Sequence, residues 1–425
     1  MHRIILAIIT FIFCLLWAEV KVEKVLETTS IKEYNQWVKR NKEKYPGLKL
    51  IYIQCETVRE PDLRRLRDYV PEKTFDPPPT NPFTYEYKVS YYDDNGKIVK
   101  DEIISGYAAV YLSPNFDEIL ISKRDHPSYP EKRITIVKDK KGNVKFTLND
   151  VFSLRAIDTD LYIEYADYEM GATSLRLFDG NGNVIGKLEG ASAPFNDRLP
   201  AVSSFDKKFF VCGYLQEPDW KPGLVFLFSK TGEILWRKEF AWQEKAPWGL
   251  YPSISGNGNM IAVGHVNKVY VYKRNGELWR EYSYEPPYPA LTALSEDGRF
   301  LAVATRDAGT KVFLYDNVNG ELVWSTKIEH FTPSLSNIIT LAISSNGKYV
   351  GLQLRPNVVY LFGPKGEILK EWNLGGIVSH PAAPSGKRVT VHLGMSTYLQ
   401  FIKDMFVIKY FNPEVSYIIE RVEEK

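Results

Sequence analysis

Apolar and polar positions along most of this chain follow a pattern of short runs rather than helical stripes. Between residues 84 and 394, apolar runs rich in Val, Ile, Tyr and Phe are cut by polar turns. Lys268-Val269-Tyr270-Val271-Tyr272 and Met260-Ile261-Ala262-Val263 are typical. One punctuation mark returns seven times: Asn95-Gly96, Lys141-Gly142, Asn181-Gly182, Thr231-Gly232, Asn275-Gly276, Asn319-Gly320 and Lys365-Gly366. The gaps between these glycines are 46, 40, 50, 44, 44 and 46 residues. An X-Gly pair between β-rich runs marks a hairpin, because glycine accepts the positive φ that such turns require. A second turn runs in phase with the first. It is read at Pro114 to Asp117, Asp158 to Asp160, Phe205-Asp206, Asn257-Gly258, Asp297-Gly298, Asn346-Gly347 and Ser385-Gly386. One unit therefore reads strand A, turn, strand B, longer loop, strand C, X-Gly turn, strand D. Four antiparallel strands per unit of 40 to 50 residues form a β-propeller blade.

The phase of the turns predicts how the ring closes. The first X-Gly turn precedes any A–B turn, and the last A–B turn has no clear X-Gly turn after it. Residues 84–103 are expected to supply strands C and D of a blade whose A and B come from 378–394. Interleaving the two ends removes an exposed sheet edge. The expected fold is all-β, a seven-bladed propeller. Residues 397–420 are also strand-like, and either complete an eighth blade or pack outside the ring.

Residues 19–83 do not share the repeat and read as a small α/β segment. Ser30-Ile31-Lys32-Glu33 has the spacing of a capping box, and Ile31, Tyr34, Trp37 and Val38 follow at helical spacing. Pro46-Gly47 ends that pattern, and Leu48 to Cys55 reads as a strand. Pro71 to Phe83, with Pro77-Pro78-Pro79, reads as a stiff connector. At the very start, His2-Arg3 precedes an apolar stretch from Ile4 to Ala18. That length suits a secretory h-region better than a spanning helix. The expected organisation is a signal peptide at 1–18, an α/β segment at 19–70, a linker at 71–83, a propeller at 84–411 and a tail at 412–425. Cleavage places the protein in the periplasm or outside the cell, with no stable membrane span. Left uncleaved, the same stretch is a membrane anchor.

A chain of 425 residues would suggest two or three domains by length, but a closed ring of repeats is one unit. The net charge of +2 makes no electrostatic case for nucleic acid. After cleavage only Cys55 and Cys212 remain. An oxidising compartment would allow them to pair, whereas Cys212 within Phe210-Val211-Cys212 reads as a small buried apolar side chain.

The best-formed units resemble known repeat families. Val312 to Trp324, Val225 to Trp236 and Val269 to Trp279 are similar to the repeat of pyrroloquinoline-quinone-like propellers. Ser295-Glu296-Asp297-Gly298-Arg299-Phe300 and Ser344-Ser345-Asn346-Gly347-Lys348-Tyr349 resemble the turn of WD40-like bacterial envelope propellers. The resemblance covers most of residues 84–394 and implies architecture, since this fold hosts enzymes and scaffolds alike. Trp236, Trp279 and Trp324 then read as packing residues between blades.

Enzyme motifs fail one after another. A quinoprotein dehydrogenase would need adjacent cysteines, a sialidase Ser-X-Asp-X-Gly-X-Thr-Trp turns, and a hydrolase a Gly-X-Ser-X-Gly elbow. None is present, and neither is His-Glu-X-X-His. The six histidines are scattered singly, so neither a metal nor a cofactor is expected. Asp179-Gly180-Asn181-Gly182-Asn183 imitates the start of a calcium loop, but its sixth position is Val184 and its twelfth Gly190. It reads as a plain turn.

The candidate site lies on the face of the B–C and D–A loops. Strands B of three units end in arginine in one register, at Arg124, Arg306 and Arg355. Together they could form a multidentate site for carboxylate or phosphate, or they pair locally with neighbours such as Asp125 and Asp307. The loops add Arg198, Trp220, Trp248, Tyr251, Tyr288 and His330, residue types enriched at binding hot spots. The expected function is an exported, non-catalytic binding or scaffold protein of the cell envelope, whose partner is another envelope or extracellular protein. The alternative is an enzyme or ligand sensor that holds an anionic or sugar-like molecule at the channel mouth.

Overall fold

The computed structural model describes residues 20–59, 85–113, 115–126, 129–149, 151, 153–165, 174–190, 193–194, 201–215, 223–241, 250–265, 267–284, 290–305, 310–328, 338–354, 358–374, 397–412 and 414–424. Their strands pair only antiparallel, in eight sheets arranged blade after blade. The chain is a β-propeller.

The first blade holds β2 (Ile53–Arg59), β3 (Tyr85–Tyr92) and the first part of β4 (Ile98–Leu112). At Gly106–Tyr107 strand β4 changes partner, from β3 to β5 (Glu118–His126), and so becomes the inner strand of the second blade. That blade continues with β6 (Tyr129–Asp139) and β7 (Val144–Asn149). The third holds β8 (Ser153–Asp158), β9 (Leu161–Tyr165), β10 (Ser174–Asp179) and β11 (Val184–Glu189). In the fourth, the inner strand comes in two pieces, β12 (Ala193–Pro194) and β13 (Val202–Ser203). These pair with β14 (Phe209–Leu215), followed by β15 (Gly223–Ser229) and β16 (Ile234–Phe240). The fifth is β17 (Tyr251–Ile254), β18 (Met260–His265), β19 (Lys268–Lys273) and β20 (Leu278–Ser283). The sixth is β21 (Ala290–Leu294), β22 (Phe300–Thr305), β23 (Lys311–Asp316) and β24 (Glu321–Lys327). The seventh is β25 (Ile338–Ile343), β26 (Val350–Leu354), β27 (Val358–Phe362) and β28 (Ile368–Asn373). The eighth is β29 (Thr397–Ile402), β30 (Met405–Asn412), β31 (Glu414–Glu424) and, from the other end of the chain, β1 (Val20–Thr28).

Closure therefore differs from the expectation. Residues 84–103 do supply a C–D hairpin, but its B strand is β2, not a segment within 378–394, which lies outside the described residues. The ring is shut by β1 on β31, from Val20 opposite Glu424 to Thr28 opposite Tyr417. Residues 397–420, expected either to complete an eighth blade or to pack outside the ring, do the first, joined by part of the stretch read as a tail. The Pro-rich stretch at 71–83 falls between two paired strands, β2 and β3, rather than between two domains. The repeat signal missed these ends because neither β1 nor β2 flanks an X-Gly turn.

Helix α1 (Ile31–Asn41) sits at that seam. Its cap is a relay: the Ser30 hydroxyl accepts from the Glu33 amide, and the Thr28 hydroxyl accepts from the Ser30 amide while donating to Glu33 (2.6 Å). Glu33 thus reaches back to Thr28, not to the Ser30 amide that a simple capping box would use. Ile31, Tyr34, Trp37 and Val38, the face read from the sequence, are buried against Met405, Val407, Tyr417 and Ile419 of the eighth blade. Buried Asn35 clamps both polar groups of the Ile51 backbone at 2.9 Å.

The middle strands of each blade are buried on both faces, which explains their weak alternation. In β15, Leu224, Phe226 and Phe228 pack with the third blade, whereas Val225 and Leu227 pack with the fifth. Trp236 lies 5.9 Å from Tyr272, and Trp324 5.9 Å from Phe362, each a contact between blades. Cys55 and Cys212 are buried in different blades and form no disulfide with each other; each fills core.

Six of the seven C–D turns are one residue longer than a two-residue hairpin, and the turn at Gly320 is longer by two. In Lys140-Lys141-Gly142 the glycine amide bonds to the Asp139 carbonyl, and the Asp139 amide to that of Asn143. The glycine takes φ +80° as the third loop residue, and the strand register shifts just before the turn. Asp179 uses its carboxylate the same way, accepting from the amides of Asn181 (2.9 Å) and Asn183 (2.8 Å). The calcium-like string is a turn in which both Asp179 oxygens are taken, Oδ1 by backbone amides and Oδ2 by the Asn183 side chain.

Candidate functional site

The two faces of the ring are built differently. On one, the A–B turns share a serine device. Ser113, Ser204, Ser255, Ser295 and Ser344 are buried, and each hydroxyl accepts from the amide five residues on while donating to an Asp or Asn within the turn. Neighbouring turns are tied together. The Phe205 amide bonds to the Gly256 carbonyl (2.7 Å), Asn257 to Glu296 (2.8 Å), and the Asn115 side chain to Thr159 (2.9 Å). The Tyr52 amide bonds to the Phe116 carbonyl (3.2 Å) and so links the chain before β2 into the same series.

Left-handed backbone is concentrated at one position of these turns. Phe116, Asp160, Lys207 and Lys403 hold φ between 55° and 60°, and Phe116 and Lys207 stand three residues after the turn serine, where later blades place Gly258, Gly298 and Gly347. Each side chain makes a contact in return for the strain. Phe116 packs at the seam, Asp160 meets Lys145 (2.7 Å), and Lys403 donates to the Lys44 carbonyl (2.5 Å). Lys207 donates to the Ser203 hydroxyl (2.7 Å), and burial holds its pKa below the usual lysine range.

Charged clusters bridge blades. Lys145 on β7 contacts Glu118, Asp160 and the Tyr162 hydroxyl (3.1 Å), and Tyr162 donates to Glu118 (2.8 Å). Burial raises the pKa of the Glu118 carboxyl, and burial likewise pushes the Tyr162 phenol far up. Lys138 of the second blade reaches Glu102 of the first (2.8 Å), which also accepts from Tyr91 (2.7 Å). Burial works against ionising Glu102, but Lys138 and Tyr91 outweigh it and lower its pKa.

The opposite face is where strands B and D end. Arg124 lies near the end of β5, paired with Tyr107 on one side and Arg133 on the other. Tyr251 begins β17 opposite Gly264, half-buried, and its carbonyl accepts from the Thr292 hydroxyl (3.0 Å). Arg198, Trp220, Trp248, Tyr288, Arg306, His330 and Arg355 lie outside the described residues. Sequence reasoning missed Arg133, Glu164 and Arg176. The latter two form a forked ion pair on the third blade, with Arg176 Nη2 to Glu164 Oε1 at 2.6 Å and Nε to Oε2 at 2.8 Å. Arg133 could have been found by folding the β5–β6 hairpin about Pro127-Ser128.

No protein-family model and no curated protein matches the chain. Among solved structures, the crystal structure of BamB from Moraxella catarrhalis is similar at 13% identity and a TM-score of 0.49, over 79% of this chain and 91% of that one. Likeness at this level carries no argument about function. Among the described residues, no helix is long and apolar enough to cross a membrane.

Proposed function

We propose that this propeller is a non-catalytic binding or scaffold protein of the cell envelope that engages a protein partner through its loop face. The division of labour between the faces carries this reading. The turn face is uniform, tied from blade to blade through backbone bonds, and leaves little freedom for specific recognition. Variation in chain length falls in the connections at the other ends of the strands, from the two residues 127–128 to the long stretches 60–84 and 374–396. Variable connections on a rigid scaffold are where proteins carry function, and Trp and Tyr in them are the usual anchors of a protein interface. Envelope location rests on the leader-like run from Ile4 to Ala18.

Photo-crosslinking tests the reading. A photoreactive amino acid at Trp248 or Tyr288 should give discrete adducts in envelope extract, whereas one at Lys141 or Lys230 on the turn face should not. Trp220→Ala, Trp248→Ala and Tyr288→Ala should fold normally yet lose the adduct. Adducts confined to the turn face, or loop-face positions that stay silent, overturn the proposal.

A further inference from the structure

The turn face is uniform except where residues 42–52 cross it. Strand A is the innermost of each blade, so the A–B turns ring the mouth of the central channel on this face. At the eighth blade, the Lys44 carbonyl accepts from Lys403 (2.5 Å) and the Tyr45 hydroxyl donates to Asp404 (3.3 Å). Gly47 lies close against Ile402, whose Cγ2 would stand 3.2 Å from an added Cβ. Lys49 comes near enough to Lys207, on the turn of the fourth blade, for their like charges to repel. The Tyr52 amide then reaches the Phe116 carbonyl (3.2 Å) on the turn of the second blade. In a ring of eight, the eighth and fourth blades stand opposite each other. A segment that meets the turns of both therefore crosses the mouth.

Positive charge is left over at this crossing. Lys207 is half-buried and holds φ +57°, a conformation that costs a non-glycine residue free energy. Its Nζ donates to the Ser203 hydroxyl (2.7 Å), and it forms no ion pair among the described residues. Burial disfavours its cation, and so do the like charges of Lys49 and Lys230, whereas Asp158 favours it. Asp158 is itself buried and already lies 3.6 Å from Lys230. A lysine here is thus unfavourable twice, in its backbone and in its charge, and gains one hydrogen bond to a neutral group. Folding stability does not account for such a residue.

An anion set between Lys49 and Lys207 would turn their repulsion into attraction. The Ser203 oxygen accepts from Nζ of Lys207, which leaves its own proton to be given to a ligand. The donors at hand are two ammonium groups and a hydroxyl, with no guanidinium among them. A planar carboxylate is matched by the fork of an arginine, whereas lysine binds phosphate as a point charge. Separate point donors suit the several oxygens of a tetrahedral group. We infer that the crossed mouth of the channel binds a phosphate group, carried by the free ion or a small ester, between Lys49 and Lys207 with Ser203 as the third donor. This site lies on the face opposite the protein-binding loops and does not rest on that reading.

Isothermal titration calorimetry of the full chain, at an ionic strength held constant with chloride, tests the inference. Inorganic phosphate and glycerol phosphate are the two probes, and the tighter of them tells a free ion from an ester. Binding should saturate at one site per chain and weaken at least tenfold in both Lys207→Gly and Lys49→Ala. Lys208→Ala removes an exposed cation of the same turn, paired with Asp206 (3.1 Å), and should bind as the unaltered protein does. Lys207→Gly should melt no lower than the parent, which separates lost binding from lost folding. Lys49 is exposed, so its truncation should leave the melting temperature unchanged as well. Absence of binding by both probes, undiminished binding by either lysine variant, an equal loss in Lys208→Ala, or citrate binding as tightly as phosphate overturns the inference.

Discussion

The ring of Tyr34 lies 4.2 Å from that of Tyr417, joining the only described helix to the last strand of the chain. Both residues are buried, and burial pushes the Tyr417 phenol far above its ordinary pKa. Tyr34→Ala leaves a cavity between helix and blade, and truncating a buried aromatic costs about 3 kcal/mol. The expected result is a lowered denaturant midpoint, with far-UV circular dichroism unchanged below the transition.

Removal of β1 has a different signature. Without residues 20–28, strand β31 is left as a long open edge, and such edges recruit other chains. Size-exclusion chromatography of the deletion variant should show aggregates or edge-paired oligomers where the intact chain elutes as one species.

The Lys145–Glu118 pair separates two kinds of charge deletion. Glu118 is almost fully buried, so Lys145→Met strands its carboxylate, at a cost of about 3 kcal/mol for a broken buried pair. Replacing both partners by apolar residues of similar size, Glu118→Leu with Lys145→Met, should cost less than the single change. Urea titration of the two variants decides; a larger loss in the double variant contradicts the desolvation argument.

Acid should attack the turns first. Burial works against ionising Asp139 and Asp179, but the turn amides, together with the side chains of Asn143 at the first and Asn183 at the second, outweigh it and lower both pKa values. A carboxyl depressed by folding contributes stability that is complete above its unfolded pKa, near 3.8, and is lost as pH falls through its lower folded value. The melting temperature should therefore drop below about pH 4, and Asp179→Asn should flatten that drop while lowering the plateau near pH 7, where the carboxylate's contribution is complete.

Substitutions at the shared left-handed position should act in opposite directions. Gly347 holds φ +74°, and a Cβ there would run into the Phe300 ring, so Gly347→Ala should destabilise strongly. Lys207→Gly relieves a left-handed non-glycine residue, worth about 1 kcal/mol, and also frees a half-buried cation. Differential scanning calorimetry should show a lower melting temperature for the first and an unchanged or higher one for the second.

The middle of the ring was legible because its turns are local. Gly142, Gly182 and Gly276 each announce a hairpin within a few residues, and Ser295 to Phe300 repeats at Ser344 to Tyr349. The ends were not legible, since β1 finds β31 nearly four hundred residues away and no short-range signal records that pairing. The A–B turn of the eighth blade escaped notice because its positive φ falls on Lys403 rather than on a glycine. At the candidate site, Arg124 was visible as a recurring strand end. Arg133, opposite it on the ladder, emerges only once a register is known, and so does the pair of Glu164 with Arg176 on adjacent strands of the third blade.

Pairing of β1 with β31 also sets an order of events in time. The first strand to be synthesised docks beside the last, so it must wait, unpaired, while the seven blades between them are made. Joining ends this distant carries an entropic cost that grows only slowly with separation, but the delay itself grows with every residue added. A ribosome that stalls before residue 414 leaves β1 without β31, its partner among the described residues, and such a product should be a ready target for proteases and chaperones.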